Sequence, residues 1–354
     1  MFSKKILISN REISISSYPF LIAEVSGNHN GSINRAKQLI KDAKIFGADA
    51  VKLQTYTADS LTLDSYREEF YLSEGLWRGK RLYDLYQEAH TPWEWHKELF
   101  AYAEKIGVIL FSSPFDRAAV DLLEKLDAPA YKIASPEIID HDLIDYVSKK
   151  KKPIIISTGM ATLEEIDEAL EICKFNNNRE VILLHCSSAY PANIKESYLS
   201  NIDYLKNKYN ILVGLSDHSI GTKVPALAVA CGARVIEKHI TLKKSDGGVD
   251  SDFSMESNEL GQLREIIDEA FEISSDILFG PKPSETQSYK NRRSLYVSKS
   301  VKKGEAFTND NVKCVRPANG LKPKYLKVVL QSSAKEDIAE FTPLNWEVIK
   351  TNDT

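Results

Sequence analysis

"VGLSDHSIGTKVPALAVACGARVIEKHI", residues 213–240, holds two short apolar runs that each end in a histidine, His218 and His239, with a helix-like stretch between them. Near-continuous apolar runs alternating with helices mark a parallel sheet covered by helices. The same alternation covers most of the chain. Strand-like runs lie at 20–26 (FLIAEVS), 50–54 (AVKLQ), 108–113 (VILFSS) and 130–135 (AYKIAS), then at 153–158 (PIIIST), 181–186 (VILLHC), 211–217 (ILVGLSD) and 234–239 (RVIEKH). Helical patterns such as "SINRAKQLIKDAKIFGADA" separate them, and "NELGQLREIIDEAFEISSDI" follows the eighth. Such a series predicts an α/β fold, a (β/α)8 barrel over residues 1–280. An open doubly wound sheet would need a glycine-rich phosphate turn after the first strand, and "EVSGNHNGS" does not supply one.

Composition agrees with a globular enzyme-sized chain. Of 354 residues 43% are apolar and 27% charged, and the net charge is −4. That balance points to neither nucleic acid nor a membrane surface as a partner, so any anion must be held by a local site. The four cysteines, Cys173, Cys186, Cys231 and Cys314, show no CxxC pairing, which fits reduced thiols. The apolar run in "MFSKKILISNREIS" is too short for a signal-peptide core, and no run is long enough to span a membrane. A cytoplasmic protein is expected. The second strand-to-helix connection, residues 55–92, is unusually long and rich in aromatics, as expected of a segment covering a barrel mouth. Residues 281–292 read as a linker, and 293–354 as a small β-rich domain.

In a barrel the catalytic groups sit at the C-terminal ends of the strands. Those ends carry Glu24; Lys52 and Gln54; Ser112 and Ser113; Lys132 and Ser135; Ser157 and Thr158; His185 and Ser188; Ser216, Asp217 and His218; and Glu237, Lys238 and His239. Lysines buried in a barrel mouth need partners. Either each pairs with a carboxylate such as Glu24 or Glu237, or an anionic substrate pairs them. Taken with the serine hydroxyls, the set favours a phosphate-bearing substrate. His218 and His239 close neighbouring strands, where two neutral imidazoles can hold a divalent metal with positions left open.

"LIAEVSGNHNGS", "GADAVKLQTY", "FSSPFD", "AYKIASPE", "PIIISTGM", "LLHCSSAYP", "VGLSDHS" and "VIEKHITL", in this order, resemble the sialic-acid synthase family. The tail "RRSLYVSKSVKKGEAFTNDNVKCVRPANGL" resembles that family's antifreeze-like (SAF) domain. The resemblance implies condensation of phosphoenolpyruvate with an open-chain amino-sugar aldehyde, giving a nine-carbon 2-keto acid and inorganic phosphate by C–O cleavage. It implies a divalent metal, Mn²⁺ with Mg²⁺ or Co²⁺ as alternatives, on His218 and His239. It assigns Lys52, Ser113, Lys132, Ser135, Ser157, Ser188 and Ser216 to phosphoenolpyruvate. Gln54, Tyr190 and Asp250 would face the sugar, with Glu24 as general acid/base. Arg316 would serve the site of the other subunit, which implies a domain-exchanged homodimer.

The region from Lys52 to His96 is very like the pseudaminic acid synthase branch of the family. Ser188 stands where many N-acetylneuraminate synthases have asparagine. The expected sugar is therefore 2,4-diacetamido-2,4,6-trideoxy-L-altrose. N-acetylneuraminate or legionaminate synthesis is the alternative within the family. A non-catalytic carbohydrate-binding protein is the alternative outside it.

Overall fold

Residues 1–351 are described by a computed structural model, whose first element is a hairpin the sequence did not announce. β1 (Lys5–Ile8) pairs antiparallel with β2 (Arg11–Ser14). Then come eight parallel strands: β3 (Phe20–Glu24), β4 (Ala50–Thr55), β5 (Ile109–Pro114), β6 (Tyr131–Ile133), β7 (Ile154–Ser157), β8 (Val181–Cys186), β9 (Leu212–Asp217) and β10 (Val235–Thr241). They lie in chain order, and β10 pairs with both β9 and β3, so the sheet closes into the expected barrel. The register sets His239 beside Glu24 and Glu237 beside Ser216.

The helices form where the sequence repeats apolar positions every three to four residues. α1 (Ile33–Ile45) buries Ala36, Leu39, Ile40 and Ala43, and starts at Ser32, whose hydroxyl accepts from the Arg35 amide. α2 (Ala58–Leu61) and α3 (Leu82–Ala89) lie in the long connection after β4. α4 (Trp93–Ile106), the helix that pairs with β4 in the βα series, ends at Gly107 in the left-handed conformation. α5 (Arg117–Lys125), α6 (His141–Ser148), α7 (Leu163–Phe175), α8 (Ser200–Tyr209), α9 (Lys223–Ala230) and α10 (Leu260–Ser274) complete the ring. α7 carries a reciprocal cap between Thr162 and Glu165. None of the helices in the described residues is long and apolar enough to cross a membrane.

Two apolar layers result. One joins the outer strand faces to the helices. The other fills the barrel interior, where Phe20, Ile22, Phe111, Ile155, Ile182 and Leu212 pack with Ile6, Ile8 and Ile13 of the hairpin. The hairpin thus plugs the N-terminal end of the barrel. At Gly214 in β9 a Cβ would stand 2.3 Å from the Val235 carbonyl oxygen, so only glycine permits this approach of β10.

The chain divides after Asp276. The residues from Ile277 onward have their own core, including Leu295, Val297, Val301, Phe307 and Leu344. This unit holds α11 (Thr286–Lys290), the antiparallel pair β11 (Ser294–Val297) and β12 (Val312–Val315), α12 (Leu326–Leu330), and the pair β13 (Ser333–Ala334) and β14 (Ile349–Lys350). The stretch 281–292 contains α11 and a 3₁₀ turn at Pro283–Glu285.

If the hairpin is a plug, truncating it at one side chain is costly. Ile8→Ala should lower unfolding stability by about 2–5 kcal/mol in denaturant titration. Leu7→Ala, at a position 54% exposed, should stay within about 0.5 kcal/mol. Equal small effects would contradict the plug.

Candidate active site

The C-terminal ends of the barrel strands surround a cavity of about 470 Å³. Its floor is charged. Lys52 from β4, Lys132 from β6 and Glu237 from β10 are each 2–3% exposed. Lys52 Nζ stands 2.8 Å from Glu24 Oε2 of β3 and 3.6 Å from Glu237 Oε1, and Lys132 Nζ stands 3.5 Å from the same Glu237 oxygen. β10, β3 and β4 are neighbours and β6 reaches the same volume across the barrel, because the side chains point into its interior. Ser216 donates to Glu237 Oε1 at 3.2 Å, and Ser113 lies 3.2 Å from Lys52 Nζ.

The pairing leaves much of the polar capacity unused. Lys52 forms an ion pair with Glu24, yet neither Glu24 oxygen has a hydrogen-bond donor. Glu237 Oε2, Glu137 Oε2, Ser157 Oγ and His239 Nδ1 are also buried without a partner. Native interiors rarely tolerate such groups, and their concentration at one cavity marks a place where something binds. Behind the cavity, Gly159 donates its amide to Ser135 Oγ at 3.0 Å. A Cβ there would meet Ser188 Oγ at 2.3 Å and Ser135 Oγ at 2.7 Å, so glycine keeps this cradle open.

Burial governs the charges. It pushes the Glu24 carboxyl up to about 7, against the pull of Lys52 and with a further push from Glu237. It also pushes Glu137 up to about 7. Burial acts to raise Glu237 too, but Lys132 and Lys52 hold it below the ordinary carboxylate value. Lys132 is lowered, chiefly by burial. For Lys52 burial opposes the charge, yet Glu237 and Glu24 win and raise it. Asp250 is raised by burial, although Ser26 donates to it.

His218 and His239 face one another with ring centroids 5.2 Å apart. His218 Nδ1 donates to the Ser187 carbonyl oxygen at 2.8 Å, which leaves Nε2 as its free acceptor. Burial holds His239 well below the usual imidazole value, so it is neutral, and its Nδ1 has no hydrogen-bond partner. This pair fits a divalent ion that takes two nitrogens and keeps open positions. No group of three or more His, Cys, Asp or Glu side chains placed to hold a metal exists among the described residues. His185 does not join the pair, because Nε2 is 2.6 Å from the Ser197 carbonyl oxygen.

Of the residues expected at the site, Lys52, Gln54, Lys132, Ser135, Ser157, Tyr190, Ser216, His218, His239 and Asp250 line the cavity. Glu24 and Ser113 do not line it. Both are fully buried beside Lys52. Ser188 lines a neighbouring groove with Met160 and Tyr198. Arg316 belongs to the second unit, where it is exposed and lines a cleft with Arg292 and Arg293. Glu137, which the sequence reading passed over, lines the cavity. Its signal was its place just after the "KIAS" strand end, but a glutamate in the first turn after a proline reads equally as a helix start. Phe253 was missed as well. It packs on the rings of His218, His239 and Tyr190 at centroid distances of 5.0–6.0 Å.

The NeuB family matches residues 39–277, and the SAF domain matches residues 292–350. Among similar proteins is the pseudaminic acid synthase of Campylobacter jejuni subsp. jejuni serotype O:2, 47% identical over 90% of this chain and 93% of that protein. The N,N'-diacetyllegionaminic acid synthase of the same strain is 37% identical over 90% of this chain and 97% of its own. The solved N-acetylneuraminic acid synthetase of Leptospira borgpetersenii, in complex with citrate, superimposes with a TM-score of 0.73 at 31% identity, covering 81% of this chain and 95% of that one. A closed barrel with this polar mouth, matched over most of its length and followed by a SAF domain, places the chain in the NeuB family of sialic-acid synthases.

Proposed function

We propose that this chain is a pseudaminic acid synthase. It condenses phosphoenolpyruvate with 2,4-diacetamido-2,4,6-trideoxy-L-altrose in the open-chain form, giving pseudaminate and inorganic phosphate. One observation carries the reading: unpartnered buried polar atoms gather around two buried lysines and a facing histidine pair at one barrel mouth. The greater identity to a pseudaminic acid synthase than to a legionaminic acid synthase from one strain supports the altrose sugar over the legionaminate precursor.

Lys52 and Lys132 hold the anionic groups of phosphoenolpyruvate, with Ser135 and Ser157 donating from the cavity wall, Ser216 holding Glu237 beside them, and Ser113 and Ser188 backing them. Gln54, Tyr190 and Asp250 position the sugar aldehyde. His218 and His239 would hold a divalent ion, Mn²⁺ or alternatively Mg²⁺ or Co²⁺, which when bound supplies a Lewis acid at the aldehyde. C3 of phosphoenolpyruvate bonds to the aldehyde carbon, whose oxygen takes a proton. Water adds at C2 and gives up a proton, and the C2–O bond to phosphate breaks. The overall reaction consumes one water and releases one phosphate. Glu137 lines the cavity and titrates near neutrality, so it can hold and move these protons. Glu24, buried against Lys52, sets the charge of that lysine and shares the proton inventory. Arg316 would reach the sugar from a partner copy in a domain-exchanged homodimer.

Two experiments test this. Phosphate release from phosphoenolpyruvate should occur with the altrose sugar, should be abolished by chelator, and should be far weaker with the legionaminate precursor and N-acetylmannosamine. Release confined to one of the latter sugars would overturn the substrate. No release from folded, metal-loaded enzyme with any of them would overturn the synthase reading in favour of a binding protein.

The second concerns Glu137, whose folded carboxyl lies near 7 against an ordinary 4.5. The folded state therefore holds a proton that the unfolded state has lost. The stability this gives is full below 4.5 and disappears as pH rises through about 7. Glu137→Gln should flatten that fall in a pH series of denaturation curves and lower turnover by about 10²–10⁴-fold. An unchanged pH series would contradict the assigned protonation state.

A further inference from the structure

The long connection after β4 contributes much of the cavity lining, including Tyr56, Leu61, Leu72, Trp77, Leu85 and Tyr86. Residues 71–80 form a closed loop. The Leu72 amide donates to the Lys80 carbonyl at 3.0 Å, the Gly79 amide donates to the Leu72 carbonyl at 2.7 Å, and Tyr71 bridges to Arg81. Within 71–80 Leu72 and Trp77 are half-buried, and both line the cavity. Arg81 fixes the base of the loop. Its buried guanidinium pairs with Asp64 and with Asp84 at 2.5 Å, and stacks 4.2 Å from the Tyr66 ring centroid. An otherwise solvent-facing loop is thus held rigidly enough to deliver two apolar side chains to the mouth.

Trp77 is tied to other walls of the cavity. Its indole Nε1 donates to the Val249 carbonyl oxygen at 2.8 Å, in the segment after β10. Its ring lies 5.5 Å from that of Tyr190, after β8, and 6.5 Å from that of Phe253. The only hydrogen-bonding group of the indole is therefore already used. Trp77, Leu72, Val249 and Phe253 offer the cavity carbon from their side chains. Lys52, Lys132 and Glu237 line the same cavity, so a bound sugar meets both charged and apolar surface. A hydroxyl pressed against the Trp77 and Leu72 side chains would leave water and find no hydrogen-bonding group free on them, whereas a methyl group there gains burial.

We propose that Trp77, backed by Leu72, is a specificity-determining residue that receives the deoxygenated C6 of the sugar and disfavours a 6-hydroxyl. The inference rests on the proposed 2,4,6-trideoxy substrate and adds the residue that recognises the missing oxygen. It also implies that Trp77 distinguishes 6-deoxy from 6-hydroxy sugars and leaves the choice between altro and manno stereochemistry to other contacts.

The test uses full-length, metal-loaded enzyme and two sugars that differ only at C6: the altrose derivative and its 6-hydroxy counterpart. The wild-type protein should favour the 6-deoxy sugar by about 10- to 100-fold in kcat/KM. Trp77→Ala should bring that ratio to within about threefold, with the change in the KM for sugar and not in the KM for phosphoenolpyruvate. Trp77→Phe, which keeps an aromatic ring and loses only the N–H, should retain the preference. Should Trp77→Ala fail to fold, Leu72→Ala carries the same expectation of a ratio reduced at least about threefold. A wild-type ratio near one, or a ratio unchanged in Trp77→Ala or its substitute while both sugars slow equally, would overturn the inference and leave the synthase reading standing. Wild-type enzyme that uses neither altrose sugar would overturn both.

Discussion

The buried ion network of Lys52, Glu24, Glu237 and Lys132 is the constraint on which the site depends. Taking four ionisable groups out of water is unfavourable unless they compensate one another, and here compensation is partial. The lysines lie against the carboxylates, but both Glu24 oxygens and Glu237 Oε2 lack hydrogen-bond donors. Burial at the same time raises Glu24 and Glu137 towards neutrality. Such a site is poised: an arriving anion finds two ammonium groups, and neighbouring carboxyls can stay protonated instead of repelling it. The closed barrel is what makes this possible, because strands from different sides of it aim inward residues at one small volume.

The two ends of the barrel solve opposite problems. At the N-terminal end the hairpin supplies Ile6, Ile8 and Ile13, so the interior is sealed with hydrocarbon. At the C-terminal end the long connection after β4 lends Leu72 and Trp77 to a mouth whose floor is charged. Because the bottom is closed and packed, the polar groups at the top are held on rigid strands and do not relax by pairing more completely. Their unmet capacity is retained for a ligand.

The barrel was legible because each strand is a continuous apolar run ending in a polar residue, a pattern that few other folds produce. The histidine pair was legible for a related reason: equivalent positions of adjacent βα units are neighbours in space. The hairpin was not, since two four-residue strands with alternating polar residues gain meaning only from the barrel they plug. Glu137 was not, because its role comes from burial, which local sequence does not record. For the lysines, the sequence left carboxylate pairing and anion binding as rival readings. The structure shows the carboxylate contacts, and both lysines still line the cavity, where an anion can reach them.

The account stands or falls on His218 and His239 acting as one metal site above the lysine floor. Binding of Mn²⁺ followed by electron paramagnetic resonance, in wild-type protein and in the single variants His218→Ala and His239→Ala, measures this without reference to turnover. The account predicts a single saturable site that is lost in either variant and tightened by phosphoenolpyruvate in the wild type. Retention of that site with unchanged affinity in both variants would contradict it.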